Sequence, residues 1–487
     1  MQFLESMDVR SFNKNSGWFF FFFFTSSITI FSLSIFNSSH FDFYRVCYVV
    51  IFFNISALPF FFMDKSKGRY VLMVIFLPLY FVLFCIGDFF SILGIEDKLA
   101  KETKSIESAV DGIIIIGGVC YIFGYMFLIS ITKKKWKGWF SDEWDFKKIK
   151  IAGVLCWMLG TWAFITIFFF KETSQLPLSI VSNLKNFSLI GVIMLTYHYL
   201  SKNDKSTLFI LLFIGGGQLF LGFVANTKEV SFIIPVVYLI IGFISKGRIN
   251  KKILVSLVAL MVVYISFFNV YRLFVMQINN KTPLQAVQSL SQSIDTVLSN
   301  LNTKHVDNKK KSSSFLKERI ETRKYIIILV NGIEKGVPTM DGYTLNLFFK
   351  SFIPRVFWPN KPEISIGKLF NHEFNISASK LTYIPATHLG EFYWNFKMPG
   401  VVVGMFFIGF FMAYISKMTD LSVKVTLPRV IIIMMVIYIT CVRFEADWAQ
   451  QYSNVVRALV IIYFLNLFLR KKVKKSNPYY ENLVDDK

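Results

Sequence analysis

Long, nearly uninterrupted runs of apolar residues constrain this chain more than any other feature. A helix that crosses a bilayer needs about 20 mostly apolar residues, and twelve windows of the sequence reach or approach that length. Only 17% of the 487 residues are charged, whereas soluble domains average about a quarter. The sequence therefore predicts an all-α polytopic membrane protein. The windows lie at roughly 17–36, 44–63, 70–93, 110–131, 151–170, 180–200, 206–225, 230–245, 253–275, 398–416, 428–442 and 455–469.

The distribution of Lys and Arg predicts the orientation of these helices. With a cytoplasmic N-terminus, the segments that become cytoplasmic hold 27 Lys and Arg, and the short external loops and adjoining helix ends hold nine. Basic residues concentrate on the cytoplasmic side of membrane proteins, so both termini are predicted to be cytoplasmic. The net charge of +22 is spread over many short loops, which excludes a nucleic acid as partner.

This topology divides the chain into four predicted parts. They are an N-terminal bundle of about nine helices, a large extracytoplasmic loop, about three C-terminal helices and a basic cytoplasmic tail. Within the loop, two apolar and aromatic segments are expected to pack against the bundle or to lie in the headgroup layer. The four parts are residues 1–275, 276–397, 398–470 and 471–487, and the two segments are Tyr325–Val330 and Tyr343–Trp358.

Several cations lie at the predicted outer ends of helices. Ionisable residues at such positions are costly and are therefore functional candidates. Convergent cations suit an anionic ligand, and the planar guanidinium fork suits phosphate oxygens in particular. Each residue could instead extend to the interface or form an ion pair, for example Arg443 with Glu445 or Asp447. The cations are Arg272, Lys228, Arg443 and Arg457.

A proline-rich string inside the loop is the most informative stretch. Three prolines within Phe352–Pro362 forbid a continuous helix and fix several backbone torsions. Such a rigid turn would present Arg355 and Lys361 to an anion, with Trp358 as a plane for a sugar or for the membrane interface. The structural alternative is an interfacial anchor.

A second string, Pro385–Phe396, leads into the tenth predicted helix. A carboxylate or imidazole at a helix mouth can remove a proton from a sugar hydroxyl, and Glu391 and His388 are the candidates, with His372 a distant third. Tyr393 and Trp394 are candidate sugar or interface contacts. A single His is often structural, and Glu391 could instead neutralise an arginine.

These strings resemble signatures of bacterial oligosaccharide repeat-unit polymerases, the Wzy-type O-antigen and capsule polymerases. Ile353–Pro362 resembles that family's I-P-R-x-x-W-P-x-K-P string, and Leu389–Gly400 resembles its G-E-x-x-x-N-F-G-x-x-G element. Lys397 stands where glycine is usual in the element. Tyr271-Arg272 is similar to a Tyr-Arg that precedes the family's large loop.

The resemblance implies a multi-helix glycosyltransferase of the GT-C type in the bacterial cytoplasmic membrane. It would transfer a glycan from undecaprenyl pyrophosphate to the distal sugar of a new lipid-linked repeat unit, without a metal or other cofactor. Arg272, Arg355, Lys361, Arg443 and Lys228 would bind the pyrophosphate. Lipid-linked oligosaccharides and membrane lipid would then be the partners. Such polymerases commonly work with a chain-length regulator, although no residue here identifies a contact with one.

Two other functions stay open. An O-antigen ligase uses the same donor, and His388 is compatible with one. A flippase or other transporter would place ionisable residues midway through several helices, whereas here they cluster at the predicted outer mouths.

Overall fold

The described residues of the computed structural model are almost entirely helical. No strand occurs among them apart from an isolated bridge between Trp144 and Arg470. The structure describes residues 21–32, 43–62, 70–92, 104–132, 140, 143–169, 181, 184–225, 234–242, 255, 264, 268, 322–353, 357–358, 360–362, 365–378, 382–421, 425–443 and 446–471.

The helices follow the apolar runs of the sequence. They are α1 (Phe21–Ser32), α2 (Phe43–Phe62), α3 (Val71–Ile92), α4 (Lys104–Ile131), α5 (Phe146–Phe169), α6 (Asn186–Lys202), α7 (Lys205–Val224), α8 (234–242), α9 (Arg323–Glu334), α10 (Tyr343–Ser351), α11 (Gly367–Glu373), α12 (Thr387–Met418), α13 (Leu427–Val436), which continues as a π-helical turn (Ile437–Val442), and α14 (Trp448–Leu469).

Five of the described helices, α4, α5, α7, α12 and α14, are long and apolar enough to cross a membrane. Shorter apolar helices accompany them at α1, α2, α3 and α13. The prediction of an all-helical membrane protein is therefore confirmed. The count of twelve spans and the GT-C architecture stay predictions.

Described helical residues occur in all twelve predicted windows. In the window 253–275 only residues 255, 264 and 268 are described, and all three are helical. The helices α12 and α14 begin well before their predicted windows, at Thr387 and Trp448. Their first turns carry polar side chains, which hydropathy does not count as part of a span. These side chains are buried because they join the two turns, His388 through Gln451 and Glu391 through the Trp448 N–H.

The helices α4 and α12 pack through glycines. A Cβ at Gly124 would overlap the carbonyl group of Phe406, and a Cβ at Gly409 would overlap the carbonyl group of Tyr121. Small residues allow close backbone approach, which drives helix association in membranes because lipid removes the hydrophobic driving force between helices. The helices α4 and α12 therefore pack with their backbones in close contact.

Helix ends that are predicted to share one side of the membrane lie together. The N–H of Asp145 donates to the carbonyl of Leu469 at 2.9 Å, which joins the start of α5 to the end of α14. Similarly, the hydroxyl of Thr426 donates to the carbonyl of Phe140 at 2.9 Å. All four residues belong to predicted cytoplasmic ends. The assignment of this end to the cytoplasm stays a prediction.

The described part of the large loop, from Thr322 onward, forms a small core over the other end of the bundle. Leu329, Leu347, Phe370 and Trp394 are buried in that core. It brings together α9, α10, α11 and the first turns of α12 and α14. Residues 276–321, the polar first part of the predicted loop, lie outside the described residues.

A buried ion network docks this loop on the bundle. Arg323, the first residue of α9, donates from Nε and Nη2 to Asp111 Oδ1 at 3.1 and 2.6 Å, and its Nη1 lies 3.5 Å from Asp88 Oδ2. Arg45 lies 3.4 Å from Asp88 and 3.6 Å from Glu107. Two arginines thus hold three carboxylates of α3 and α4.

Candidate active site

The two predicted base residues lie together in the first turn of α12, and both are buried. His388 and Glu391 follow Thr387, which has a φ of 62°. This left-handed conformation is costly for a β-branched residue. The Thr387 hydroxyl accepts the N–H of Gly390 at 3.3 Å and so caps the turn. The chain therefore enters α12 through a strained residue that directs both side chains into the protein.

Glu391 reaches the beginning of another helix. Its Oε2 accepts the backbone N–H of Trp448, the first residue of α14, at 2.8 Å. The first N–H groups of a helix have no partner within the helix, and the helix dipole favours an anion there. The carboxylate of Glu391 therefore takes the place of an N-cap for α14. Its Oε1 has no hydrogen-bond partner among the described residues.

Asp447 is the second carboxylate of the site. It directly precedes α14, and its Oδ2 accepts the N–H of Ile366 at 2.8 Å. Its Oδ1 has no hydrogen-bond partner among the described residues. Burial raises the pKa of Asp447 to about 6, against the opposing effect of the Ile366 N–H. Asp447 also lies close enough to Glu391 to repel its charge.

This placement excludes two of the ion pairs considered from the sequence. Asp447 forms no ion pair with Arg443, because its carboxylate turns towards Ile366 and the described contacts of Asp447 include no cation. Glu391 does not neutralise a described arginine either, because it binds the Trp448 N–H. Sequence reasoning missed Asp447 as a partner of Glu391, although an Asp directly before a helical pattern is a recognisable N-cap signal.

His388 is held by an amide side chain. Its Nε2 lies 2.7 Å from Gln451 Oε1, and Gln451 Nε2 donates to the carbonyls of Arg443 and Ala446. Because the amide nitrogen faces two acceptors, the amide oxygen must face the imidazole, so His388 Nε2 carries the hydrogen. The Tyr452 ring meets His388 edge-on, with 5.6 Å between centroids. His388 is thereby fixed in orientation. His372, the third candidate, is exposed beside Glu373.

Asn395 links the first turns of α12 to the beginning of α10. Its Nδ2 donates to Thr344 Oγ1 at 2.6 Å and to the Glu391 carbonyl at 2.7 Å, and its Oδ1 accepts the N–H of Gly342 at 3.0 Å. Thr344 in turn lies beside the Glu391 carboxylate. The Glu and Asn of the sequence string, one helical turn apart, thus position α10 against the site.

The helix α12 breaks directly after Asn395. Phe396 and Lys397 have non-helical torsions, with a φ of 52° at Lys397. Pro399 explains the break, because its ring excludes the carbonyl of residue 395 and it lacks an N–H. The positive φ also explains why glycine fits this position of the sequence element better than Lys397 does.

The candidate cations that the structure describes bind in two different places. Lys361 Nζ donates to the carbonyls of Ser351 and Ile353 at 3.0 and 2.8 Å, and Arg457 Nη2 donates to the same Ser351 carbonyl at 2.6 Å. Both therefore stabilise the negative end of α10. Arg443 instead donates to the Tyr438 hydroxyl at 3.1 Å and stacks over that ring. Arg272, Arg355 and Lys228 lie outside the described residues.

The three candidate aromatic contacts differ in exposure. Trp394 is fully buried between Phe370 and Phe374, and its Nε1 donates to the Pro338 carbonyl at 3.2 Å. Its ring belongs to the core of the loop in this conformation, and its role as a sugar or interface contact stays a prediction. Trp358 and Tyr393 are half-buried and stay candidates.

An apolar cavity of about 440 Å³ is lined by Phe392 and Trp448, the residues that follow Glu391 and Asp447 in the chain. Trp448, whose N–H binds Glu391, forms one wall, and the two halves of the broken α12 form another. The cavity opens beside Val403 and Phe407, which are exposed on the outer surface of the bundle. An acyl or polyprenyl chain is the kind of ligand that such a surface accepts. The lining residues are Leu345, Phe392, Phe396, Pro399, Gly400, Val403, Gly404, Phe407 and Trp448.

Residues 69–473 match a family described as a domain of unknown function (DUF8712). The match covers most of the chain, including every described residue of the site, and the chain belongs to this family. A search of the curated proteins found no match, and a search of the solved structures found none either.

Proposed function

We propose that this protein is a polysaccharide polymerase of the bacterial cytoplasmic membrane. It joins oligosaccharide repeat units that are carried on undecaprenyl pyrophosphate, at the outer face, to make an O-antigen, capsule or exopolysaccharide. One observation carries the proposal. A buried carboxylate, Glu391, accepts the N–H of Trp448 at a helix mouth, and Trp448 lines an apolar cavity. This arrangement suits a substrate with a sugar at one end and a long hydrocarbon chain at the other.

Glu391 is the proposed general base. Its Oε2 is fixed by the Trp448 N–H, so Oε1 is the atom that accepts the proton of the acceptor hydroxyl. The hydroxyl oxygen then bonds to the anomeric carbon of the donor as the bond from that carbon to the phosphate oxygen breaks. The bonding electrons leave with the diphosphate. General base catalysis of this kind contributes about 10²–10⁴-fold in rate.

The lipid chain of the donor or acceptor is proposed to occupy the cavity between α10, α12 and α14. Its walls are almost entirely apolar side chains, and burial of hydrocarbon stabilises a complex by about 25 cal/mol per Å². The kink after Asn395 supports this assignment because it separates the two halves of α12 and thereby forms one wall.

The departing diphosphate needs positive charge where its oxygen becomes anionic. Arg272, Arg355 and Lys228 are proposed for this role. Lys361 and Arg457 act on the diphosphate indirectly, since both bind the carbonyl of Ser351 and so fix the end of α10, shortly before Arg355 in the sequence. Arg443 stays a candidate through its position between the π-helical turn and α14. Metal-independent transfer is part of this proposal.

A ligase is the second candidate function. The observation in its favour is the fixed orientation of His388, one turn from Glu391 and hydrogen-bonded to Gln451. In a ligase, the same donor would be transferred to a different acceptor, the lipid A core. The two functions differ in product: a polymerase lengthens glycans, whereas a ligase changes the molecule to which they are attached.

Deletion of the gene and complementation with variants tests the proposal. The wild-type chain should restore a ladder of long glycans on gels of the extracted polysaccharide, and Glu391→Gln should reduce chain extension at least about 100-fold. Glu334→Gln is the matched control, because Glu334 is exposed at the end of α9. Membrane levels of each variant are measured in parallel.

Three results would contradict the polymerase. Long glycans from Glu391→Gln at normal protein level would exclude it as the base. A larger loss from His388→Ala than from Glu391→Gln, with glycan missing only from the lipid A core, would favour the ligase. Accumulation of lipid-linked units on the cytoplasmic side in the deletion strain would indicate a flippase.

A further inference from the structure

Glu391 and Asp447 are two neighbouring carboxyl groups that the protein buries without a counter-charge. Both residues are fully buried, and no described Lys or Arg contributes to the electrostatics of either group. One oxygen of each is fixed by a backbone N–H, from Trp448 and Ile366 respectively. By strict distance and angle the second oxygen of each forms no hydrogen bond with a described residue, and the nearest donors are neutral hydroxyl groups.

The groups that face this pair are all neutral. Thr344 of α10 lies beside Glu391, and Ser365 and the Tyr383 hydroxyl lie beside Asp447. Tyr383 stays a phenol at neutral pH, because phenols ionise near pH 10. On α12 itself, His388 is directed to Gln451.

Two adjacent negative charges are unstable in such surroundings. Water is excluded, so their repulsion is only weakly screened, and no arginine offsets the cost of removing them from water. Carboxyl groups in this arrangement relieve the repulsion by keeping a proton, and the proton then belongs to the pair and not to one residue.

We propose that Glu391 and Asp447 form one proton-binding site that holds a single proton near neutral pH. The site spans two helices that are distant in sequence, because Glu391 lies in α12 and Asp447 begins α14. Where it concerns catalysis, the inference rests on the proposed function. The ionised oxygen of the pair takes the hydroxyl proton of the acceptor, and the doubly protonated pair returns one proton to water before the next transfer.

The proton makes stability depend on pH in a defined direction. In the unfolded chain both carboxyl groups ionise near pH 4, whereas burial raises the pKa of folded Asp447 to about 6. Above pH 4 the folded protein therefore binds more protons than the unfolded chain, and stability falls as pH rises. With an amide at one position, the remaining carboxyl group has no charged neighbour, and burial alone determines how tightly it binds a proton.

Thermal unfolding of the full chain in detergent micelles between pH 6.5 and 8 tests the inference, because Asp447 alone, with a pKa of about 6, is ionised in this range. The measured quantity is the melting temperature of a variant minus that of the wild type. For Glu391→Gln, this difference should rise by about 2 °C per pH unit. For Asp447→Asn it should rise more slowly, because the buried Glu391 still binds a proton without its neighbour, and for Glu334→Gln it should stay constant. The double variant should give the same slope as Glu391→Gln, because only one proton is held.

Other slopes would overturn the inference. Single variants that each give half the slope of the double variant would mean two separate protons. Differences that are constant with pH would mean that the carboxyl groups act only as hydrogen-bond acceptors. The measurement needs no transfer activity, so it separates this inference from the proposed function. A normal glycan ladder with flat slopes leaves the polymerase standing, whereas the predicted slopes without a ladder leave the proton site standing.

Discussion

The protein buries acidic side chains in two places, and the two places differ in whether described cations contact the carboxyl groups. At the junction of α3, α4 and α9, Arg323 contacts both Asp88 and Asp111, at distances between 2.6 and 3.5 Å. At the mouth of α12, Glu391 and Asp447 lie side by side with no described cation. The carboxyl groups of the first place are paired with arginines, whereas those of the second have no cation among their described neighbours.

This difference separates a structural role from a chemical one. Buried ion pairs with good geometry hold elements in one arrangement, and here Arg323 fixes the start of α9 and with it the loop. Groups that perform acid–base chemistry need an atom that can exchange a proton. The Glu391 and Asp447 pair lies next to Trp448, which lines the apolar cavity.

The largest expected effect is the loss of the network's central cation. Arg323→Met leaves Asp111 buried without its hydrogen-bonded partner, so the free energy of unfolding should fall by about 3–5 kcal/mol. Lys335→Met is the control, because Lys335 is exposed at the other end of α9. Thermal unfolding in detergent measures both. An effect of Arg323→Met no larger than the control would contradict a structural role for the network.

Matched amide substitutions compare the two places directly. Asp111→Asn removes the charge that binds Arg323 and should cost about 1.5–3 kcal/mol. Glu391→Gln keeps an oxygen for the Trp448 N–H and removes repulsion with Asp447. At pH 7.5 it should therefore change the free energy of unfolding by less than about 1 kcal/mol. Melting temperatures at pH 7.5 give the ranking. Equal losses at the two positions would remove the distinction drawn between them.

The sequence predicts the helices and one member of the site, but not the contacts between distant residues. Apolar windows indicate where helices form because membrane crossing requires them, and Glu391 stands in a recognisable string. The bond from Arg323 to Asp111 spans 212 residues, and no local pattern encodes it. Lys361 illustrates the same limit: its position between prolines predicts an anion site, whereas in the fold it binds the carbonyls at the end of α10.

Backbone strain also distinguishes the two places. Thr387 and Lys397, which flank Glu391 on α12, both have positive φ, and no non-glycine residue of α2, α3, α4 or α9 among the described residues does. Strain of this kind is retained where the surrounding structure over-determines a functional geometry. The strained residues thus belong to the site without a described counter-charge and not to the ion network of Arg323 and Arg45.

The smallest expected effect measures that strain. Lys397→Gly removes the clash of a Cβ at a φ of 52°, which costs about 1–2 kcal/mol, but it adds about 0.5–1 kcal/mol of unfolded-chain entropy. The net result should be a stabilisation of about 0.5–1 kcal/mol. Lys397→Ala keeps the Cβ and removes the same charge, so its stability should equal that of the wild type. If both variants stabilise equally, the ammonium group is responsible and the backbone at the break of α12 is relaxed. A gain confined to the glycine variant places the strain in the backbone, directly after the turn that holds Glu391 against α14.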